Sequence, residues 1–241
     1  MCYTSGTTGN PKGVVYSHRS TVLHATMVNL ASCVGLTDRD AVLPVVPMFH
    51  ANAWGIPYAA LTAGSKLVLA GAASADPAAL AGLIESERVT VATGVPTVWT
   101  GLLHHLESTR RDLSSLRLVT VGGSAVPASM IERFKRLAGV DVVQGWGMTE
   151  TGPVASLSFP PAGTERLPDS EQVRMRARQG RVVPGVRFRV ALPDGGVAPW
   201  DDRTKGGSTW ASPATTPRSG SGWRRTRAGR ASPTICRAPG A

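Results

Sequence analysis

Three cysteines in 241 residues, Cys2, Cys33 and Cys236, are too few and too far apart for a disulfide framework, and without a CxxC pair they give no structural zinc site. No window approaches the roughly 18 uninterrupted apolar residues of a membrane span. The N-terminus lacks the basic-then-apolar order of a signal peptide. These absences make a soluble, cytoplasmic protein the expectation. Acidic groups are also in short supply, 16 against 26 Lys and Arg, for a net charge of +10. The imbalance is uneven: residues 201–241 hold seven Arg and one Lys against two Asp, a net of +6, and residues 1–200 carry only +4. A nucleic-acid partner is therefore not expected of the body. Residues 201–241 also lack Leu, Val, Met, Phe and Tyr altogether. Such a segment cannot bury enough apolar area to offset the entropy of ordering it, and it is expected to be disordered.

The length suits one large domain or two small ones and can bury a real core. Between residues 41 and 150, short β-branched runs alternate with helix-period segments. Strands are expected at Ala41–Val46, Lys66–Leu69, Val89–Ala92, Arg117–Val121 and Val140–Val143. Asp76 and Pro77 form an N-cap and first-turn proline for a helix running to about Glu87. A second helix begins at Pro96 and aligns Trp99, Leu102, Leu103 and Leu106 in one stripe. A third begins near Pro127, with Met130, Ile131, Phe134 and Leu137 inward. The alternation implies an α/β fold with a doubly wound parallel sheet, in which ligands sit at loops beyond the carboxyl ends of strands.

Three stretches carry chemistry. Residues 3–14, Tyr-Thr-Ser-Gly-Thr-Thr-Gly-Asn-Pro-Lys-Gly-Val, combine Gly6, Gly9 and Gly13 with the hydroxyls of Thr4, Ser5, Thr7 and Thr8 and the charge of Lys12. Consecutive backbone N–H groups in such a loop suit a polyphosphate, although the Walker A order is not met. A polar surface loop is the plain alternative. Residues 47–55, Pro-Met-Phe-His-Ala-Asn-Ala-Trp-Gly, follow the first strand; His50 suits a base, a ligand or a satisfied loop histidine, and Trp54 a core residue. Residues 144–152, Gln-Gly-Trp-Gly-Met-Thr-Glu-Thr-Gly, offer a flat Trp146 face for a purine and the oxygens of Thr149 and Glu150 for magnesium. A glycine-rich turn with a packing tryptophan is the alternative there. His104 and His105, adjacent on a helix, do not share a face and read as solvated surface.

Taken together and in this order, the three stretches resemble the motifs of the adenylate-forming superfamily of acyl-CoA synthetases, luciferases and peptide-synthetase adenylation domains. The Asn-Ala-Trp form of the second, with Pro57, Tyr58, Ala59 and Ala60, is similar to medium- and long-chain fatty acyl-CoA synthetases. The resemblance implies ATP, Mg²⁺, a fatty acid and coenzyme A as ligands. It assigns Thr4, Ser5, Gly6, Thr7, Thr8, Gly9 and Lys12 to the phosphates, and Thr4 with Glu150 to the metal. It places Gln144, Gly145 and Trp146 on the adenine side, with Gly122 and Gly123 on a second adenosine loop, and Thr149 near the α-phosphate. His50, Ala51 and Trp54 fall on the acyl side, Trp54 as a gate. Thr149, Glu150 and Lys12 are the implied catalytic groups.

The implied organisation is a partial AMP-binding core at 1–178, the start of a small β subdomain at 179–200, and a disordered or frame-shifted tail at 201–241. Residues 187–197 read as a hairpin, Arg187–Leu192 followed by a turn at 193–196. The implied activity is ATP-dependent conversion of a fatty acid to its adenylate and then its coenzyme A thioester, with little turnover expected of this chain alone. The other readings are an aryl- or amino-acid-activating relative and a non-catalytic module binding nucleotide, or nucleic acid through Trp210, Trp223 and the tail arginines. The family's Thr-Gly-Asp and C-terminal lysine have no counterpart here, and Gly, Ala, Ser, Thr, Pro and Arg dominate the tail, as expected of a shifted reading frame in GC-rich coding sequence. Reading the underlying DNA one base earlier from about residue 201 is expected to yield Thr-Gly-Asp; a genomic sequence without it would refute the shift.

Overall fold

A computed structural model describes residues 1–4, 10–192, 194 and 196–199, and the backbone of 207–211 and 224–225. A hairpin of β1 (Cys2–Thr4) and β2 (Lys12–Val14) precedes α1 (His18–Val28). There follow β3 (Ala41–Pro44), α2 (Ile56–Ala63), β4 (Lys66–Leu67), α3 (Pro77–Ser86), β5 (Val91–Gly94), α4 (Pro96–Ser108), β6 (Leu118–Val121), α5 (Ala128–Ala138) and β7 (Asp141–Gly147). β8 (Val154–Leu157), α6 (Asp169–Arg176), β9 (Arg181–Val182), β10 (Arg187–Ala191), β11 (Gly207–Ala211) and β12 (Arg224–Arg225) complete the order.

The main sheet has seven strands in the order β4-β3-β5-β6-β7-β8-β9, parallel from β4 to β7 and antiparallel beyond. A parallel sheet must be covered on both faces. On one face α3, α4 and α5 pack Leu80, Ile84, Trp99, Leu102, Leu103, Ile131 and Phe134 against Leu43, Ala92, Val119 and Val142. The expected stripes are the ones buried, with Leu106 and Leu137 at the margin. On the other face α1 and α2 pack Ala25, Val28, Ile56, Ala59 and Ala60 against Val42, Val91, Leu118 and Val143. The sheet is thus doubly wound, as the alternation of elements implied.

Boundaries moved where side chains intervened. Asp76 caps α3 by accepting from the Ala78 N–H at 2.9 Å, as its sequence position implied. The third strand starts at Val91 rather than Val89, because the Val89 N–H still donates to Ile84 of α3 and Thr90 is engaged by Asp40. β7 runs on through Gln144–Gly147 because β8 pairs with it, so the third motif begins in a strand and not in a turn. β9 closes the main sheet, and β10 opens a separate sheet ordered β10-β11-β12. At the expected hairpin the chain does turn back: Ala191 bridges Val197, and the Ala198 N–H donates to Val190 at 2.8 Å. Pro193 and Gly195 of that turn lie outside the described residues, as does all of 201–241 except the backbone of β11 and β12.

At the amino ends of the strands, Asp40 ties three of them together. Its buried carboxylate accepts from the Thr37 N–H at 2.8 Å, the Thr90 hydroxyl at 2.6 Å and Arg117 Nε at 2.9 Å. Arg117 in turn donates to the Gly35 carbonyl at 3.0 Å, just beyond α1. Burial pushes the Asp40 pKa up, but the hydrogen bonds from Arg117, Thr90 and Thr37 outweigh it and hold the group at about 2, below the ordinary 3.8. Asp40→Ala leaves Arg117 and Thr90 without their acceptor and is expected to cost about 3 kcal/mol in urea denaturation. Because the folded pKa is the lower one, the difference from wild type should be full above about pH 4 and shrink as the pH falls toward 2.

Candidate functional site

In the strand order, β3 has β4 on one side and β5 on the other, so the chain reverses direction across the sheet at β3. Ligands in doubly wound sheets sit beyond the carboxyl ends of strands around such a point. A cavity of about 100 Å³ opens there, lined by the loop after β3, the ends of β6 and β7 with the residues that follow them, β8 and the end of α1. Its lining combines Gly122, Gly123, Gly145, Trp146 and Gly147 with the apolar side chains of Val28, Val34, Ile56, Val154 and Leu157. His50, Ala51 and Trp54 line the same cavity.

Trp54 reaches this position through an unusual backbone. Ala51, Asn52, Ala53 and Trp54 all have φ between 49° and 59°, one turn of left-handed helix, and Gly55 follows at 72°. Each non-glycine residue so placed costs roughly 1–2 kcal/mol. Three contacts hold the turn: Ala53 is fully buried, Cys2 Sγ donates to Asn52 Oδ1 at 3.4 Å, and the His24 ring packs where a Gly55 side chain would be. His24 accepts from the Val154 N–H through Nε2 at 3.3 Å. Burial pushes its pKa down to about 4, so the ring is a neutral spacer. A Cβ on Gly122 would lie 3.0 Å from both the Trp54 indole and the Gly145 carbonyl oxygen, so only glycine admits the indole at this depth.

Trp146 stands edge-on to Phe188 of β10, with ring centroids 5.8 Å apart, and borders the cavity opposite Gly122 and Gly123. Gln144 behaves differently from its neighbours. Its side chain is buried and its Oε1 accepts from the Val126 N–H at 2.9 Å, so it braces the loop after β6 rather than lining the cavity. Gly145 does line it. Thr149, Glu150 and Thr151 form a 3-10 turn, and Tyr16 donates its hydroxyl to the Thr149 carbonyl at 2.5 Å.

Thr4 and Lys12 are register partners at the loop end of the β1–β2 hairpin, where Thr4 Oγ1 donates to the Lys12 carbonyl at 3.5 Å. The hairpin lies beside both the left-handed turn and the Thr149–Thr151 turn. Ser5, Gly6, Thr7, Thr8 and Gly9, between its strands, lie outside the described residues. Glu150 is the carboxylate of this corner. Among the described residues no group of three or more His, Cys, Asp or Glu could hold a metal alone. A single carboxylate beside hydroxyl and carbonyl oxygens fits an ion that arrives on phosphates and keeps part of its water shell, as magnesium does.

Sequence reading had not singled out His24, Tyr16 or Phe188. Tyr16 and His24 lie in or beside α1, whose inward residues include Ser20 and His24 while Val22 and Leu23 face outward, so its polarity pattern hides the face that packs.

Comparison with known proteins agrees with this geometry. The sequence model described as AMP-binding enzyme matches residues 1–214. Over 206 residues the chain is 49% identical to 3-methylmercaptopropionyl-CoA ligase of Ruegeria pomeroyi, and 50% identical to both a long-chain-fatty-acid–CoA ligase of Thermus thermophilus and a medium-chain-fatty-acid–CoA ligase of Ectopseudomonas oleovorans. These matches take in 86% of the chain and 38% of each relative, so the chain spans well under half their length. Among solved structures, the inhibitor-bound N-terminal domain of FACL13 from Mycobacterium tuberculosis superposes with a TM-score of 0.76 at 27% identity, covering 93% of this chain and 55% of that one. A long-chain-fatty-acid-CoA ligase, FadD1 from Archaeoglobus fulgidus, gives 0.74 at 27%, covering 88% and 41%. No helix among the described residues is long and apolar enough to cross a membrane. With matching motifs, matching architecture and a family model that spans most of its length, the chain belongs to the AMP-binding enzyme family of adenylate-forming proteins.

Proposed function

We propose that the chain carries the nucleotide and acyl sites of an AMP-forming acid–CoA ligase acting on an aliphatic carboxylic acid. One observation carries this reading: a single cavity is lined both by Gly122, Gly123, Gly145 and Trp146 and by the apolar Val28, Val34, Ile56, Val154 and Leu157, with Trp54 among them. That arrangement suits a reaction whose two reactants, ATP and an acid, must meet end to end. Valine, isoleucine and leucine walls favour an aliphatic chain over an aromatic one, and the relatives at about half identity are named for aliphatic acids.

In this reading the purine stacks on Trp146, and the backbone at Gly122 and Gly123 closes on the adenosine. Thr149 faces the α-phosphate, and Lys12 with the loop 5–9 takes the β- and γ-phosphates. Magnesium held at Glu150 and Thr4 supplies positive charge against the phosphate oxygens. The acid enters past His50 and Trp54; its carboxylate oxygen attacks the α-phosphorus, the bond to the bridging oxygen breaks, and pyrophosphate leaves. The coenzyme A thiol then takes the acyl group from the adenylate. No protein nucleophile is needed, because positioning and charge neutralisation lower the barrier.

Binding of ATP and of a non-hydrolysable acyl-sulfamoyl adenosine, measured calorimetrically on this chain, tests the reading; failure to bind either would refute it. Trp146→Ala removes the stacking face and is expected to weaken both by about tenfold or more. Glu150→Gln should weaken ATP binding in the presence of Mg²⁺ but leave the sulfamoyl adenosine, which carries no polyphosphate, nearly unchanged. Equal losses for the two ligands would argue against a metal role for Glu150.

A further inference from the structure

Two segments of the cavity wall are joined by one side chain that is not itself part of the lining. Trp54, at the end of the left-handed turn, and Val154, at the start of β8, both line the cavity. The buried ring of His24, on α1, reaches both segments. Its Nε2 accepts from the Val154 N–H at 3.3 Å, and its Cε1 and Nδ1 lie 2.7 Å from where a Gly55 Cβ would stand. Four consecutive non-glycine residues do not choose a left-handed turn by themselves, so the groups abutting it decide where it sits. Cys2 holds Asn52 from the hairpin, and His24 ties the other end of the turn to β8.

This link depends on the charge state of the ring. A neutral imidazole that accepts at Nε2 carries its proton on Nδ1; an imidazolium has a proton on both nitrogens and cannot accept from Val154. The surroundings give a positive charge no counterpart. Around His24, the small space between α1, the turn and α2 is lined by the Tyr16 and Tyr58 phenols, the Asn52 side chain and the Ser20 and Thr21 hydroxyls, with no Asp, Glu, Lys or Arg. Burial therefore acts unopposed and holds the pKa at about 4, against the ordinary 6.5. Separating the turn from β8 frees the ring to take up a proton, so separation is favoured increasingly as the pH falls below 6.5, and the effect levels off near 4.

We propose that His24 is a positioning residue for the acid: its neutral imidazole fixes the left-handed turn, and with it Trp54, relative to the Val154 end of β8, and binding of an acyl adenylate depends on the Val154 N–H having its acceptor there. For the ligand, the proposal rests on the adenylate-binding reading above.

The test titrates octanoyl-sulfamoyl adenosine calorimetrically, at pH 7.5, into wild type, His24→Ala and His24→Gln. His24→Ala removes ring and acceptor together and should bind about tenfold more weakly, whereas the glutamine side chain brings an uncharged carbonyl oxygen to the place of Nε2 and should return the affinity to within about threefold of wild type. Hydrogen exchange at the Val154 amide, followed by NMR without ligand, gives a second measurement. From pH 7 to pH 5 its protection factor should fall about twentyfold in wild type and stay nearly constant in His24→Gln, which has no imidazole to titrate. Wild-type affinity in His24→Ala would overturn the proposal, as would a loss in His24→Gln equal to that in His24→Ala with the fold intact by circular dichroism. The same pH dependence at the Val154 amide in wild type and His24→Gln would also overturn it. If His24→Ala does not fold, the exchange comparison decides. A wild-type chain that does not bind the analogue overturns the adenylate-binding reading, and the exchange comparison, which needs no ligand, still decides whether His24 holds the two segments.

Discussion

The contact between the Trp54 indole and the α-carbon of Gly122 governs the shape of the site. It brings the loop after β3 against the loop after β6, at the wall of the cavity. For the indole to arrive there, four consecutive non-glycine residues take up a left-handed turn, a strain of several kcal/mol at roughly 1–2 kcal/mol per residue. Such a turn persists only where its surroundings determine it more strongly than its own preferences do. Here the surroundings are α1 through His24, β1 through Cys2, and the sheet through the burial of Ala53. Local strain at the site is thus supported by tertiary contacts from segments scattered along the chain.

The sheet supplies the stiffness this requires. Its parallel strands are buried on both faces, and their two ends have different work. At the amino ends, Asp40, Thr90 and Arg117 make an ionic and hydrogen-bonded clasp that fixes the spacing of β3, β5 and β6. At the carboxyl ends the same strands present backbone, small residues and aromatic faces to a cavity. The polar clasp lies at the opposite ends of these strands from the cavity, so it ties the sheet together without lining the cavity.

Elements with one clear apolar face were legible in the sequence. The stripes of α4 and α5 predicted their buried residues because each helix meets only one surface. What could not be read depended on contacts between distant segments. α1 turns Ser20 and His24 inward because its partners are the left-handed turn and the backbone of β8, so hydrophobic periodicity gives no account of it. The turn at Ala51–Trp54 breaks the conformational preference of every residue in it, and no local rule proposes that. Gln144 looked like part of a ligand-facing motif, yet its amide is held by the Val126 N–H; the motif mixes residues that touch the cavity with one that braces its wall. The motifs drew attention to residues that line one cavity, while the arrangement inside them came from the fold.

That arrangement is clearest between the β1–β2 hairpin and the turn that carries Glu150. Thr4 and Lys12 are separated from Thr149 and Glu150 by well over 100 residues, yet the proposed binding of a polyphosphate and its metal would need them at fixed mutual distance. Tyr16, two residues beyond β2, donates to the Thr149 carbonyl and links the two segments directly. Burial raises its pKa, and the nearby Cys2 and Glu150 groups raise it further, so the phenol keeps its proton and remains a donor. Because the bond goes to the backbone, it fixes the turn while leaving the Thr149 hydroxyl and the Glu150 carboxylate free for ligand. A side-chain acceptor in the same place would have consumed one of the groups to which the proposed function gives a role.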